Sequence, residues 1–176
     1  MPDVQLISSL IRDVVDFPRP GIIFKDITPL LASSEGFSTA ISELVDSVPT
    51  DIDFVVGMEA RGFVFAAPVA LRLGAGFVPV RKLGKLPGDV HSETYDLEYG
   101  AATLTVHTDA ITPGAKVLIV DDVLATGGTV AATAKLLEQL EAELVHISVL
   151  MELANLGGRK YLSEQGIDKI SAVLTV

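Results

Sequence analysis

The sequence contains no cysteine, no long hydrophobic run and few basic side chains, and each absence excludes a class of protein. Without cysteine the chain can form no disulfide, thiolate metal site or cysteine nucleophile. Its longest apolar run, residues 63–71, is interrupted by Pro68, whereas a membrane-spanning helix needs about 20 apolar residues. The first residues show no basic stretch followed by an apolar one, so no secretory signal is expected. We therefore expect a cytoplasmic protein with no membrane partner.

The charge balance argues against nucleic acid as a partner. The chain has 13 Lys and Arg residues against 23 Asp and Glu residues, a formal net charge of −10 at pH 7. An acidic surface repels a phosphate backbone, although a small polyanion can still bind where positive charge is gathered locally. The three histidines, His91, His107 and His146, are too far apart in the sequence to indicate a metal site.

Length and hydrophobic periodicity indicate one α/β domain over residues 1–176. Hydrophobic residues make up 49% of the chain, which is typical of a globular protein with a single core. Apolar residues at three- and four-residue steps predict helices, and short β-branched runs predict strands. Helices are predicted over residues 4–15, 35–48, 62–73 and 128–140, and strands over 54–56, 77–80, 103–106, 116–120, 144–150 and 170–174. This alternation predicts a parallel sheet with helices between its strands.

Residues 81–91 depart from that rhythm. They combine basic side chains with Gly84, Pro87 and Gly88 and show no apolar periodicity. A segment of this kind in a compact domain is often a mobile lid over a site. A solvated basic turn is the alternative interpretation.

The strongest functional signal is the passage from a buried strand into a helix at residues 116–129. Asp121 and Asp122 follow an apolar run, and Thr126, Gly127, Gly128 and Thr129 precede a helical pattern. Unpaired N–H groups at a helix start bind phosphate, and glycines allow close backbone approach. A carboxylate pair suits the vicinal hydroxyls of a ribose. The pattern therefore predicts a ribose 5-phosphate site, whereas helix capping in an ordinary tight connection is the alternative.

Residues 117–129 resemble the 5-phosphoribosyl-1-pyrophosphate (PRPP) motif of type I phosphoribosyltransferases, in which hydrophobic residues precede two acids and a TGGT phosphate loop. Segments beginning at Phe17, Gly57, Arg81 and Leu97 are similar to those of the members that use adenine. The resemblance implies a central, mainly parallel sheet flanked by helices. It also implies a small amino-terminal hood with the adenine-side segment over residues 1–34, and a flexible loop over residues 81–98.

The resemblance implies a transfer of the phosphoribosyl group from PRPP to N9 of adenine, giving AMP and pyrophosphate. Glu98 and Arg61 would be catalytic, Glu98 by handling the purine proton. Mg²⁺ would be the cofactor, bound mainly through PRPP and near Asp121 and Asp122. The residues implied to bind PRPP or AMP are Arg61, Arg81, Lys82, Lys85, Asp121, Asp122, Ala125, Thr126, Gly127, Gly128 and Thr129.

The resemblance also assigns the adenine side of the site. Phe24 would stack on the base, Ile23 and Lys25 would bind its edge through their backbone, and Leu153 would line the other side. Without the resemblance, Phe24 would be interpreted as a core residue. Lys25 stands where many relatives carry Arg; it keeps the charge but lacks the planar fork of a guanidinium group.

Two other functions and one assembly remain open at this point. The same chemistry could use an oxopurine, such as guanine, hypoxanthine or xanthine. A noncatalytic PRPP sensor is the alternative from another class, but such regulators usually carry a basic nucleic-acid-binding part that this acidic chain lacks. The resemblance further implies a homodimer, with which a mean hydropathy of +0.47 is compatible.

Overall fold

Strands rich in β-branched residues alternate with amphipathic helices and form a seven-stranded sheet that carries helices on both faces. The computed structural model describes residues 2–97 and 100–176. The helices are α1 (Pro2–Ser9), α2 (Thr28–Ala32), α3 (Ser34–Asp46), α4 (Arg61–Leu73), α5 (Gly128–Gln139) and α6 (Gly158–Ser163), with a 3₁₀ turn at Ala154–Leu156. The strands are β1 (Arg12–Val15), β2 (Ile23–Asp26), β3 (Phe54–Met58), β4 (Gly76–Lys82), β5 (Val90–Asp96), β6 (Ala101–His107), β7 (Lys116–Leu124), β8 (Glu143–Glu152) and β9 (Ile170–Thr175).

The main sheet has the order β5-β6-β4-β3-β7-β8-β9, and β1 pairs with β2 in a separate hairpin. Strands β4, β3, β7, β8 and β9 run parallel to one another, whereas β6 joins β4 and β5 in antiparallel pairing. The predicted fold class, a mainly parallel sheet flanked by helices, is therefore confirmed. The chain leaves β3 for β4 on one side and later enters β7 on the other, so the strand order reverses between β3 and β7.

The central strands are buried on both faces, which explains their continuous apolar runs. In β3, Val55 packs into the core beneath α3 and α4, while Val56 packs into the core beneath α5. Leu118 and Ile119 of β7 divide between the same two cores. Both cores therefore converge on β3 and β7, which makes the adjacent ends of these strands a rigid platform for a site.

The predicted helix over residues 4–15 is wrong in its second half. Helix α1 ends at Ser9, and residues 12–15 pair with β2 in antiparallel register. An ion pair between Arg12 and Asp26 joins the two strands at 2.5 Å. Hydrogen bonds from Thr28 and Arg12 lower the pKa of Asp26 to about 2. Pairing with the next strand thus overrides the helical spacing of the apolar residues.

The predicted irregular segment at residues 81–91 is also too long. Strand β4 continues through Lys82, and β5 begins at Val90. The inward-facing positions of β5 include Glu93 and Tyr95, so the strand lacks the apolar alternation that would reveal it in the sequence. Among the described residues, no helix is both long and apolar enough to cross a lipid bilayer.

Candidate active site

The carboxyl ends of β3 and β7 meet where the strand order reverses, and a cleft opens there. Ligands bind at this position in open parallel sheets. The cleft has a volume of about 360 Å³. Its lining comprises Met58, Glu59, Ala60, Arg61, Asp121, Asp122, Val123, Leu124, Ala125, Thr126, Gly127, Gly128, Thr129 and Val130. Of the residues predicted to bind PRPP, the structure brings Arg61, both aspartates and all of Ala125–Thr129 into one cavity.

The loop at residues 125–127 turns the chain from β7 directly into α5. Gly127 caps the helix with φ +88°, a conformation that other residues rarely adopt. The first N–H groups of α5, which have no partner within the helix, are located at the cleft. Together with the hydroxyls of Thr126 and Thr129, they form a cradle for an anion.

Helix α6 supports this cradle from behind. A Cβ atom at Gly158 would collide with the carbonyl oxygen of Ala125, so the start of α6 packs directly on the loop backbone. Arg159 anchors the helix, because its Nη2 lies 2.6 Å from Glu152 Oε2 and its Nη1 donates to the Ile170 carbonyl at 3.0 Å. No signal in the sequence indicated that residues 157–159 support the phosphate loop.

Asp121 and Asp122 lie inside β7 and not beyond its end, since the strand continues to Leu124. Both side chains are buried. Burial, reinforced by the negative charge of Asp122, raises the pKa of Asp121 well above its usual range. The Asp122 amide donates to Asp121 Oδ1 at 2.8 Å, and Gly62 packs so closely that a Cβ there would lie 2.8 Å from the same oxygen.

Arg61 connects the carboxylates to the amino-terminal hairpin. Its Nη2 lies 2.9 Å from Asp122 Oδ2. Its guanidinium carbon also lies 5.3 Å from the centre of the Phe24 ring, within the range of a cation–π contact. Arg61 is the first residue of α4, so the backbone at the end of β3 determines where the guanidinium lies.

Phe24, which is predicted to stack on adenine, contacts the side chain of Arg61 through its ring. Phe17 packs edge-on against Phe24 with ring centres 5.2 Å apart, and Ile23 is exposed. Leu153 is near the cleft through its amide, which donates to the Leu124 carbonyl at 2.9 Å. The Lys25 side chain is directed elsewhere, because its Nζ pairs with Asp13 Oδ1 at 2.8 Å.

The side chain of Arg81 and the backbone of Lys82 contact Glu59, a cleft residue that sequence reasoning did not assign. Glu59 Oε1 accepts from the Lys82 amide at 2.5 Å, and Glu59 Oε2 lies 3.4 Å from Arg81 Nη2. Arg81 also donates to the Lys85 carbonyl at 3.3 Å. The guanidinium of Arg81 is thus occupied by Glu59 beside the cleft. In the sequence, Glu59 was marked only by lying in the segment that begins at Gly57 and carries Arg61, with no role of its own.

Glu98, predicted to handle a proton, lies outside the described residues.

Within residues 2–97 and 100–176, no three His, Cys, Asp or Glu side chains are grouped so that they could hold a metal ion. A divalent cation at Asp121 and Asp122 would therefore take most of its ligands from substrate oxygens and water, which is the usual environment of Mg²⁺.

The chain is similar to known proteins both in sequence and in structure. A family model described as a phosphoribosyl transferase domain matches residues 25–172. A protein of Cutibacterium acnes named adenine phosphoribosyltransferase is 70% identical over 172 residues, which are 98% of this chain and 97% of the relative. A protein of Thermobifida fusca with the same name is 53% identical and covers 96% of both chains.

Solved structures give the same result. A crystal structure of adenine phosphoribosyltransferase from Thermoanaerobacter pseudethanolicus matches with a TM-score of 0.93 at 47% identity, covering 98% of this chain and 99% of the other. The Saccharomyces cerevisiae protein of that name, solved with adenine and an imino-altritol bisphosphate, matches with a TM-score of 0.90 at 39% identity. It covers 98% of this chain and 99% of its own.

The raised pKa of Asp121 predicts that this carboxyl lowers the stability of the fold at neutral pH. A carboxyl whose folded-state pKa exceeds its unfolded-state pKa stabilises the fold while protonated and loses that contribution as pH rises. We expect Asp121→Asn to raise the free energy of unfolding at pH 7 by about 1–3 kcal/mol, because it removes a buried charge. This gain should shrink as the pH approaches the ordinary aspartate value of 3.8.

Urea denaturation at pH 7 and pH 5, in buffer with a metal chelator, measures this difference. Asp109→Asn is the matched control, because Asp109 is exposed and its charge stays in water, so the same substitution there should give no such gain. An Asp121→Asn protein that is no more stable than wild type at pH 7 would contradict the assignment.

Proposed function

Because the chain belongs to the adenine phosphoribosyltransferases of the phosphoribosyltransferase family, we propose that it transfers the 5-phosphoribosyl group of PRPP to N9 of adenine, releasing pyrophosphate and AMP. One observation carries the proposal. Arg61 bridges the buried acid pair, beside an anion cradle, to an aromatic ring in the amino-terminal hairpin. A ribose phosphate and a flat base joined at one carbon would extend over these features in that order.

The phosphate and ribose ends of PRPP are assigned to β7 and the start of α5. The N–H groups at residues 127–129, together with the Thr126 and Thr129 hydroxyls, would hold the 5′-phosphate. Asp121 and Asp122 would accept hydrogen bonds from the ribose 2′- and 3′-hydroxyls. These donors would supply hydrogen bonds that burial denies the two carboxylates, so binding would offset part of the desolvation cost that raises the Asp121 pKa.

The pyrophosphate end is assigned to Arg61 and the 81–98 segment. Negative charge develops on pyrophosphate as its bond to the ribose breaks, and nearby cations stabilise that charge. Arg61 would have to exchange its Asp122 partner for the pyrophosphate. Lys82, at the end of β4, and Lys85, in the turn that follows, would approach the pyrophosphate. Glu59 already holds the backbone amide of Lys82. Arg81, which pairs with Glu59, would position this turn more than it binds substrate.

Adenine is assigned to the face of Phe24. The ring would stack on the base, backbone groups of Ile23 and Lys25 would bind its edge, and Leu153 would close the opposite side. The Lys25 side chain would not take part, because it pairs with Asp13 across the β1–β2 hairpin. Base preference would therefore depend on the backbone of the hairpin, which Phe17 supports through its contact with Phe24.

Mg²⁺ fits this site as an ion shared with the substrate. Asp121 and Asp122 supply two buried carboxylates, and burial together with the charge of Asp122 raises the pKa of Asp121, a cost that a cation beside the pair would reduce. When bound through PRPP, the ion would neutralise charge on the pyrophosphate and ribose oxygens. The protein's own cations and the helix start would bind and orient the substrate beside it.

Glu98 would handle the purine proton as N9 attacks, and residues 81–98 would cover the reacting carbon and exclude water. The product AMP and the expected cytoplasmic location suit a role in recovering free adenine. The alternatives remain an oxopurine in place of adenine, and a sensor that binds PRPP without turnover.

We further propose that the chain forms a homodimer through the outer side of α4. Leu71 is 84% exposed, and Val64, two helical turns earlier, is also exposed on the same side. Exposed Phe77 of β4 packs edge-on against Phe63 of the same helix. Exposed apolar side chains on one face of a helix, with an exposed aromatic ring beside the same helix, fit an interface.

The reaction is tested by offering PRPP and Mg²⁺ with adenine, hypoxanthine, guanine or xanthine in parallel, and separating the products by chromatography. We expect AMP from adenine and little nucleotide from the three oxopurines, because the base edge at the hairpin would be read by fixed backbone groups. Another nucleotide as the main product would overturn the assignment of the hairpin. Measurable PRPP binding without any product would favour the sensor.

Glu98→Gln tests the proton step. General acid–base groups contribute about 100-fold or more to rate, so we expect kcat to fall by at least that factor while the KM for PRPP changes little. The control is Asp96→Asn, which removes one exposed negative charge from the same segment and should leave kcat near the wild-type value. An unchanged kcat for Glu98→Gln would remove Glu98 from the mechanism.

Leu71→Glu tests the dimer. The wild-type protein should sediment at twice the chain mass of 18.6 kDa, and the variant should sediment as a monomer because a charge would be buried in an apolar interface. Leu83→Glu places the same charge on an exposed leucine away from α4 and should leave the dimer intact. A dimer that survives Leu71→Glu would place the interface elsewhere.

A further inference from the structure

Strand β5 lies along α5 through the side chains on its inward-facing positions. Glu93 Oε1 pairs with Lys135 Nζ at 3.3 Å, and Glu93 Oε2 accepts from Gln139 Nε2 at 3.3 Å, near the end of the helix. Tyr95, two residues later on the same face of the strand, reaches the beginning of the helix. The strand is thus held along the full length of α5, and Tyr95 is the part of it that meets the anion cradle.

Tyr95 contacts the cradle through both its ring and its hydroxyl. A Cβ atom at residue 128 would lie 3.0 Å from Tyr95 Cδ2, so the ring covers Gly128 and leaves no room for a side chain there. The phenol oxygen lies 3.1 Å from Thr129 Oγ1. Thr129 lines the cleft and Tyr95 does not, so any effect of the tyrosine on substrate must pass through the loop.

We propose that Tyr95 is a positioning residue of the 5′-phosphate cradle, whose phenol donates to Thr129 Oγ1 and thereby directs the Thr129 proton at the phosphate. This inference rests on the proposed function, because it takes the anion in the cradle to be the 5′-phosphate of PRPP or AMP. The direction of the hydrogen bond follows from counting protons. A fully ionised phosphate offers only acceptors, and the threonine hydroxyl has one proton and two lone pairs. If that proton went to Tyr95, none would remain for the phosphate.

Tyr95→Phe removes the donor and keeps the ring over Gly128. Loss of one orienting hydrogen bond should raise the KM for PRPP by about three- to ten-fold. The change in kcat should be less than about two-fold, because the 5′-phosphate does not react and its contacts are equal in the ground and transition states. Calorimetric titration with AMP should show the same rise in Kd without any turnover.

Threonine variants separate positioning through Thr129 from a general structural effect. In the Thr129→Val background there is no hydroxyl to orient, so adding Tyr95→Phe should change neither KM nor the Kd for AMP. In the Thr129→Ser background the hydroxyl is retained, and Tyr95→Phe should again weaken binding by about three- to ten-fold. A tyrosine that only supports the fold would instead give the same loss in both backgrounds.

Thr94→Val is the matched control on the same strand. Thr94 Oγ1 lies 2.8 Å from Thr103 Oγ1 on the outward face of β5, so this variant loses a hydroxyl contact without touching the cradle. Its KM for PRPP should stay at the wild-type value. Thermal denaturation of each variant verifies that it is folded under the assay conditions.

The outcomes distinguish this inference from the proposed reaction. A wild-type protein that binds AMP but forms none would overturn the reaction, and the AMP titrations would still decide the role of Tyr95. An active wild type with unchanged KM and Kd in Tyr95→Phe would overturn the positioning role alone, as would a loss in the Thr129→Val background. A wild type that neither binds AMP nor forms it would overturn both.

Discussion

The candidate site depends on the burial of two adjacent carboxylates in one strand. Removing a charge from water costs several kcal/mol unless nearby groups compensate it. Here Arg61 compensates Asp122, and the Asp122 amide and the close backbone at Gly62 surround Asp121. Burial, together with the charge of Asp122, still raises the pKa of Asp121 despite these neighbours. A ligand that brings hydroxyl donors and a bound cation would further stabilise the charge of the two carboxylates.

Arg61 gives the site its continuity. As the first residue of α4 it is positioned by β3, it neutralises an acid of β7, and it faces an aromatic ring of the amino-terminal hairpin. Three separate parts of the chain therefore meet at one guanidinium group. The same logic applies at the phosphate loop, which α6 supports from behind and Tyr95 covers from the other side. A loop rich in glycine would otherwise be too flexible to hold a fixed set of N–H donors.

The sequence predicted those elements whose structure depends on interactions between residues close together in the chain. The β-branched runs of β3, β7 and β8 and the passage from Asp121 to Thr129 are contiguous, so their patterns could be interpreted without the fold. Residues 12–15 and 90–96 were missed because their strand structure depends on pairing with the next strand, β2 for the first and β6 for the second, and not on their own apolar pattern. For β5 the inward-facing side chains are Glu93 and Tyr95, whose partners on α5 are polar, so no apolar alternation marked the strand.

The sequence by itself determined the parallel α/β class, the acid pair and the phosphate loop, because strand propensity, glycine and helix-start chemistry act over a few neighbouring residues. Only the tertiary structure decided which cations reach the cleft. Arg61 pairs with Asp122 inside the cleft, Arg81 pairs with Glu59 beside it, and Lys25 pairs with Asp13 outside it. Each of these pairings joins separate strands or helices. A charged side chain chooses among partners by distance in space, and those distances are set by packing of the whole fold.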